Sequence, residues 1–167
     1  MQRLVKQYRG VVSIMRPNKP KVPPVFVVLV AAILMWGASA AFPMLSFSFA
    51  GSSLVALAFF VVGIAVAATG ASTFASAGTT TDPLNPDRAS SLVTHGIFRY
   101  TRNPMYLGMA KVLTAWALLL GNAASLLVIV LFVAYMTQYQ IKLEELALQE
   151  AFGDEYARYK SSVRRWI

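Results

Sequence analysis

The chain has 167 residues, of which 57% are hydrophobic and 13% charged, and a mean hydropathy of +0.57. A soluble domain carries about a quarter of its residues as charges, so this composition excludes an ordinary soluble globule. The net charge of +8 comes from Lys and Arg flanking apolar runs, where they orient a chain against anionic lipid rather than bind nucleic acid; one histidine and no cysteine exclude a disulfide framework, thiolate chemistry and the usual zinc sites.

Residues 1–22 carry six basic side chains and no acid, and prolines at 17, 20, 23 and 24 mark an irregular entry to the first apolar run. That run covers 24–42 and closes at Pro43. Ala38-Ser39-Ala40 resembles a signal-peptidase site, but the long basic segment and near-spanning apolar length favour an uncleaved helix. An uncharged loop, 44–50, leads into a second run at 51–75. Gly63, Ala67, Ala71 and Ala75 recur every fourth residue there. Small residues at that spacing allow close backbone approach to a neighbour, inside the chain or in a second copy.

A long polar loop, 78–103, follows, with consecutive turns predicted across Asp82-Pro83-Leu84-Asn85-Pro86-Asp87. The third run, 104–120, begins at Pro104, a residue suited to the first turn of a helix. Gly121-Asn122 is a tight connection to the fourth run, 123–140, so these two spans form an antiparallel hairpin. Residues 141–167 form a helical tail, with Gly153 as a predicted stop and Asp154 as the cap of a last short helix. Apolar runs of this length and charge content read as transmembrane helices. The expected fold is a single all-α membrane domain, about four transmembrane helices with a C-terminal helical segment.

Charge segregation gives the topology. No charged residue lies from Val22 to Thr81, and only Lys111 lies between Asn103 and Ile141. The connections 44–50 and 121–122 are uncharged, whereas both termini and the 78–103 loop are basic. Four spans put the basic segments on one side, which the positive-inside rule makes cytoplasmic, as expected for a bacterial inner-membrane protein.

The residues able to carry chemistry then share that side. Ile141, Leu148 and Phe152 fall on one helical face; Glu145 lies within it and Glu144 at its edge. A carboxylate on an apolar face needs a partner, and Arg99 and Arg102 are on the same side of the membrane. Arg102-Asn103-Pro104-Met105-Tyr106 reads either as headgroup snorkelling, helix capping and an aromatic belt, or as a binding site with Gly108 clearing a face one turn on. Lys111 either snorkels or lines a cavity. His95 reads as a structural turn residue. Tyr135, Tyr139, Tyr156 and Tyr159 read as an interfacial belt.

At these residues the chain resembles the integral-membrane methyltransferases, which comprise isoprenylcysteine carboxyl methyltransferase, its bacterial relatives and the phospholipid N-methyltransferases. The resemblance rests on Leu92-Val93-Thr94-His95-Gly96-Ile97-Phe98-Arg99, Arg102-Asn103-Pro104-Met105-Tyr106-Leu107-Gly108, Glu144-Glu145 and Phe152-Gly153-Asp154-Glu155-Tyr156-Ala157-Arg158-Tyr159. It implies S-adenosylmethionine as methyl donor and S-adenosylhomocysteine as product. By that resemblance Ser90, Ser91, Leu92 and Val93 follow the cofactor by backbone. Phe98 stands at a cofactor-contacting position, Asn103, Pro104, Met105 and Tyr106 line the pocket, and Glu144 holds the cofactor's polar end. Arg102, Asn103 and Glu145 are the expected catalytic or substrate-facing residues, Gln140 and Lys111 the expected substrate contacts. No metal is expected.

Three positions depart from the pattern. Asn103 replaces a histidine, Phe98 a tyrosine, and Gln140 the arginine that in the eukaryotic enzyme pairs with the prenylcysteine carboxylate. An uncharged amide recognises a carboxylate more weakly, which disfavours a prenylcysteine acceptor. The leading expectation is a methyltransferase acting on a lipophilic or small acceptor bearing a carboxyl, thiol or amine. The competing expectations are a scaffold or lipid-binding protein that keeps the fold, and an NADPH-dependent reductase, which would need a longer chain and a phosphate-binding basic cluster.

Overall fold

The computed structural model describes residues 22–78 and 91–167. The N-terminal basic segment, the predicted turns at Asp82–Asp87 and Ser90 lie outside the described residues. Helices account for the fold, and no β-strand occurs among the described residues. Helix α1 is Pro24–Ala41, α2 Ser52–Ser76, α3 Pro104–Leu120 and α4 Ala123–Tyr135; a π-helical segment, Met136–Ile141, leads without a break into α5, Lys142–Ser162. Short 3-10 turns occupy Pro43–Leu45 and Gly96–Arg99.

Helices α1, α2 and the run Ala123–Ser162 are long and apolar enough to cross a membrane, and α3 is a shorter apolar helix. The protein is therefore an integral membrane protein. Charge returns to the last run at Lys142, so its apolar part ends near Gln140 and the two glutamates lie in its charged part. At 1.5 Å per residue α3 is about 25 Å long, close to the hydrocarbon thickness of a bilayer.

Local chemistry explains the boundaries. Pro24 and Pro104 open α1 and α3, where a missing N–H costs nothing. The Asn122 side chain caps α4 by accepting from the Ala124 N–H at 2.9 Å, and its amide donates to the Phe42 carbonyl at 2.8 Å. The Phe47 N–H reaches the Gly121 carbonyl at 2.7 Å. The two uncharged connections therefore touch at one end of the bundle. Within α5 the backbone breaks at Gly153, whose φ of 50° suits a residue without Cβ.

The tightest helix pair is α2 with α3. A Cβ on Gly108 would lie 2.5 Å from the Gly63 carbonyl oxygen and 2.8 Å from the Ala67 Cβ. A Cβ on Gly70 would lie 2.9 Å from the Pro104 Cγ. The buried face of α2 thus runs through Ala56, Gly63 and Gly70. This corrects the expected stripe. Gly63 and Ala67 are used inside the chain, and Ala71 and Ala75 are exposed because the face in contact turns past them. The four residues therefore do not form one free face for an oligomer.

A first core gathers Met35, Tyr106, Leu113, Phe132, Met136 and Ile141 between α1, α3, α4 and the π segment. A second joins Val93 and Phe98 to Tyr156 and Tyr159 beneath α5.

Candidate functional site

The site forms where the start of α3 faces the π segment and the first turns of α5. Asn103 precedes α3 and Tyr106 lies in its first turn, with its ring buried. Gln140 and Glu144 are one helical turn apart, so both project toward that ring. The Tyr106 hydroxyl donates to Glu144 Oε1 at 2.5 Å, and the Gln140 amide donates to the same oxygen at 2.6 Å. The π geometry at Met136–Ile141 offsets the helix just before Glu144, a distortion common at functional sites. Burial pushes the Glu144 carboxyl up to about 7; the Tyr106 and Gln140 hydrogen bonds oppose this and the Glu145 charge adds to it. Among the described residues no cation pairs with Glu144.

Glu145 is different. It is buried, and Arg102 Nη2 lies 2.8 Å from its Oε1, while Arg165 binds it in a bidentate fashion with Nε at 2.9 Å and Nη2 at 2.7 Å. Lys160 stands 3.7 Å away. Burial alone would raise its pKa, but the Arg165 hydrogen bonds and the charges of Arg102, Arg165 and Lys160 hold it below the usual carboxylate range. With both oxygens occupied, Glu145 is the hub of an ion cluster.

Arg102, Asn103, Tyr106, Gln140, Glu144 and Glu145 therefore come together. Other expected residues do not join them. Lys111 lies on the α2-facing side of α3, with Nζ 5.6 Å from the centre of the Phe59 ring. Met105 and Pro104 pack toward Gly70 of α2. Val93 and Phe98 sit in the second core, where Phe98 meets Phe74 edge-on at 4.8 Å and its carbonyl accepts from the Tyr159 hydroxyl at 2.8 Å. Leu92 packs against that core. Asn103 is not a side-chain cap; its amide donates to the Arg165 carbonyl at 2.9 Å. Arg99 is exposed, so the partner of Glu145 is Arg102 and not Arg99. Tyr135 and Tyr139 are exposed, with rings tilted at 37° and centroids 5.1 Å apart, as a belt would have them, but Tyr156 and Tyr159 are buried in the second core and are not belt residues.

Arg165 and Trp166 are site neighbours that no sequence pattern singles out. The Trp166 indole donates to the Thr137 hydroxyl at 3.1 Å. Their only sequence signal is a basic, aromatic C-terminus, which reads equally as lipid contact. Among the described residues, the buried polar atoms Ser91 Oγ and Arg102 Nε have no hydrogen-bond partner. Such atoms are rare in native interiors and suit a site that completes its bonding with a ligand.

Residues 52–155 match the family described as phospholipid methyltransferase. An uncharacterized protein of Haemophilus influenzae is 48% identical over 63 residues, covering 38% of this chain and all of that protein. The Protein-S-isoprenylcysteine O-methyltransferase of Schizosaccharomyces pombe is 38% identical over 72 residues, covering 43% of this chain and 30% of that one. The Protein-S-isoprenylcysteine O-methyltransferase A of Arabidopsis thaliana is 31% identical over 80 residues, covering 48% of this chain and 41% of that one. The chain thus spans less than half the length of these two methyltransferases. No solved structure matches it.

Proposed function

The chain belongs to the phospholipid methyltransferase family, and from that premise we propose that it is an S-adenosylmethionine-dependent membrane methyltransferase with a lipophilic or small acceptor. Its donor site lies between Arg102–Tyr106 and Glu144, on the cytoplasmic side of the membrane. The observation that carries this reading is Glu144: a carboxylate fixed by a phenol and an amide, with no cation paired to it among the described residues.

The residues present fit the cofactor. A lone carboxylate in a buried setting favours a ligand carrying positive charge, and the cofactor has both an ammonium and a sulfonium. Arg102 Nε, on the guanidinium that pairs with Glu145, is a buried polar atom with no hydrogen-bond partner among the described residues. When bound, S-adenosylmethionine supplies an electrophilic methyl group on sulfur. The work of this chain is positioning: Tyr106 and Gln140 fix the Glu144 carboxylate, Glu144 holds the cationic end, and Asn103 lines the opposite wall. Methyl transfer depends on alignment and exclusion of water more than on strong acids or bases. Gln140 hydrogen-bonds Glu144 without neutralising it, as an arginine there would, so the negative charge stays available to the ligand.

Calorimetric titration of the detergent-solubilised protein with S-adenosylhomocysteine tests the reading. Binding is expected, weakened by Glu144→Ala; no heat at millimolar ligand sinks it.

A further inference from the structure

We propose that the C-terminal segment 163–167 is a clasp that positions the methyl-donor site, with Arg165 as its positioning residue; this rests on the functional reading above. The segment lies beyond the family match, which ends at residue 155. Helix α5 stops at Ser162 and the backbone turns extended at Val163. From there the chain grips both walls of the site. Against the first wall, the Arg164 carbonyl accepts from the Arg102 N–H at 3.0 Å. The Arg165 carbonyl accepts from the Thr101 hydroxyl at 3.3 Å and from the Asn103 amide at 2.9 Å. Against the second, the Arg165 guanidinium holds Glu145 in a bidentate pair, and Trp166 bonds Thr137 in the π segment.

These contacts fall beside the residues that matter. Asn103 is gripped directly, Glu145 adjoins Glu144, and Thr137 is three residues before Gln140. Direct bonding between the walls is also carried by the Tyr106 hydroxyl, with its contacts to Glu144 and Gln140, and by Arg102 with Glu145 and the Lys160 carbonyl. A planar bidentate guanidinium fixes orientation as well as distance. The segment also buries apolar surface, Trp166 on the first core and Val163 on the second. Here the backbone and side chain of one residue, Arg165, bond to both site walls at once.

The test measures S-adenosylhomocysteine affinity by calorimetry for the full-length wild type, Arg165→Ala, Asn103→Ala and the double variant. Misplacing the walls should weaken binding by roughly tenfold or more in Arg165→Ala. Because Arg165 acts through Asn103 and its wall, the double variant should lose clearly less than the sum of the single losses. Arg165→Ala within about twofold of wild type, or strictly additive losses, overturns the clasp. If Arg165→Ala does not fold, Arg165→Lys keeps the charge and loses the bidentate pair. It should still bind several-fold more weakly, and wild-type affinity there overturns the clasp as well. A wild type that does not bind the ligand overturns the functional reading instead, so the two failures are distinguishable.

Discussion

Arg102 and Glu145, 43 residues apart in sequence, meet at 2.8 Å with both side chains about nine-tenths buried. Removing one member of such a pair strands the other charge, which costs on the order of 3–5 kcal/mol. Glu145→Ala should therefore be strongly destabilising in chemical or thermal unfolding in detergent, and Glu145→Gln less so. The pH dependence has a definite sign. The folded-state pKa of Glu145 lies below its ordinary value, so this stabilisation is present above that value and is lost as pH falls through the folded one. Acid should narrow the stability gap between wild type and Glu145→Gln. A gap that widens in acid would contradict the pairing.

Gly108 tests the α2–α3 contact. Its missing Cβ leaves room for the Gly63 carbonyl oxygen, which a methyl group would approach to 2.5 Å. That is below any normal carbon–oxygen contact and the obstacle is backbone, so the helices must part. Gly108→Ala should destabilise by about 1–3 kcal/mol despite alanine's better helix propensity, and Gly108→Leu by more. Thermal melts of the purified variants check this; a more stable Gly108→Ala would show that the two helices do not pack this closely.

The all-helical membrane fold was legible because apolar run length, proline punctuation and charge segregation are local signals. The pairing of the Arg102–Tyr106 segment with Glu144 was reachable only through topology and motif resemblance. What could not be read was which side of each helix meets which neighbour. Lys111 and Tyr106 are both in α3, yet one faces Phe59 and the other Glu144. Tyr156 and Tyr159 look like belt residues by composition, and only the fold of the 91–99 segment beneath them buries them. Arg165 has no periodic relation to Glu145, 20 residues away, because the break at Gly153 and the end of α5 intervene.

Lys111 separates two readings of the site. A substrate contact would lose affinity for the acceptor or cofactor when replaced. The structure instead sets its ammonium over Phe59, on the far side of α3 from Glu144, an interaction worth about 0.5–2 kcal/mol. Lys111→Met should lower or barely change stability and leave S-adenosylhomocysteine affinity within about twofold. A tenfold loss of affinity in a folded Lys111→Met would return this residue to the site.

Glu144 and Glu145 are adjacent, yet their environments push them in opposite directions, and pH can tell them apart. Burial lifts the Glu144 carboxyl to about 7, above its ordinary 4.5. The folded protein therefore keeps a proton there that the unfolded chain releases, and stability is lost as pH rises from the lower value through the higher one. Glu144→Gln removes that cost, so its melting temperature should exceed wild type by more at pH 8 than at pH 5. Ligand binding should run the other way. A ligand ammonium placed against Glu144 favours the ionised carboxylate, so wild-type affinity for S-adenosylhomocysteine should rise between pH 6 and pH 8, while Glu144→Gln binds weakly with little pH dependence. If the variant binds as well as wild type at pH 8, Glu144 is a buried structural acid, and the donor site lies elsewhere on the Arg102–Tyr106 segment.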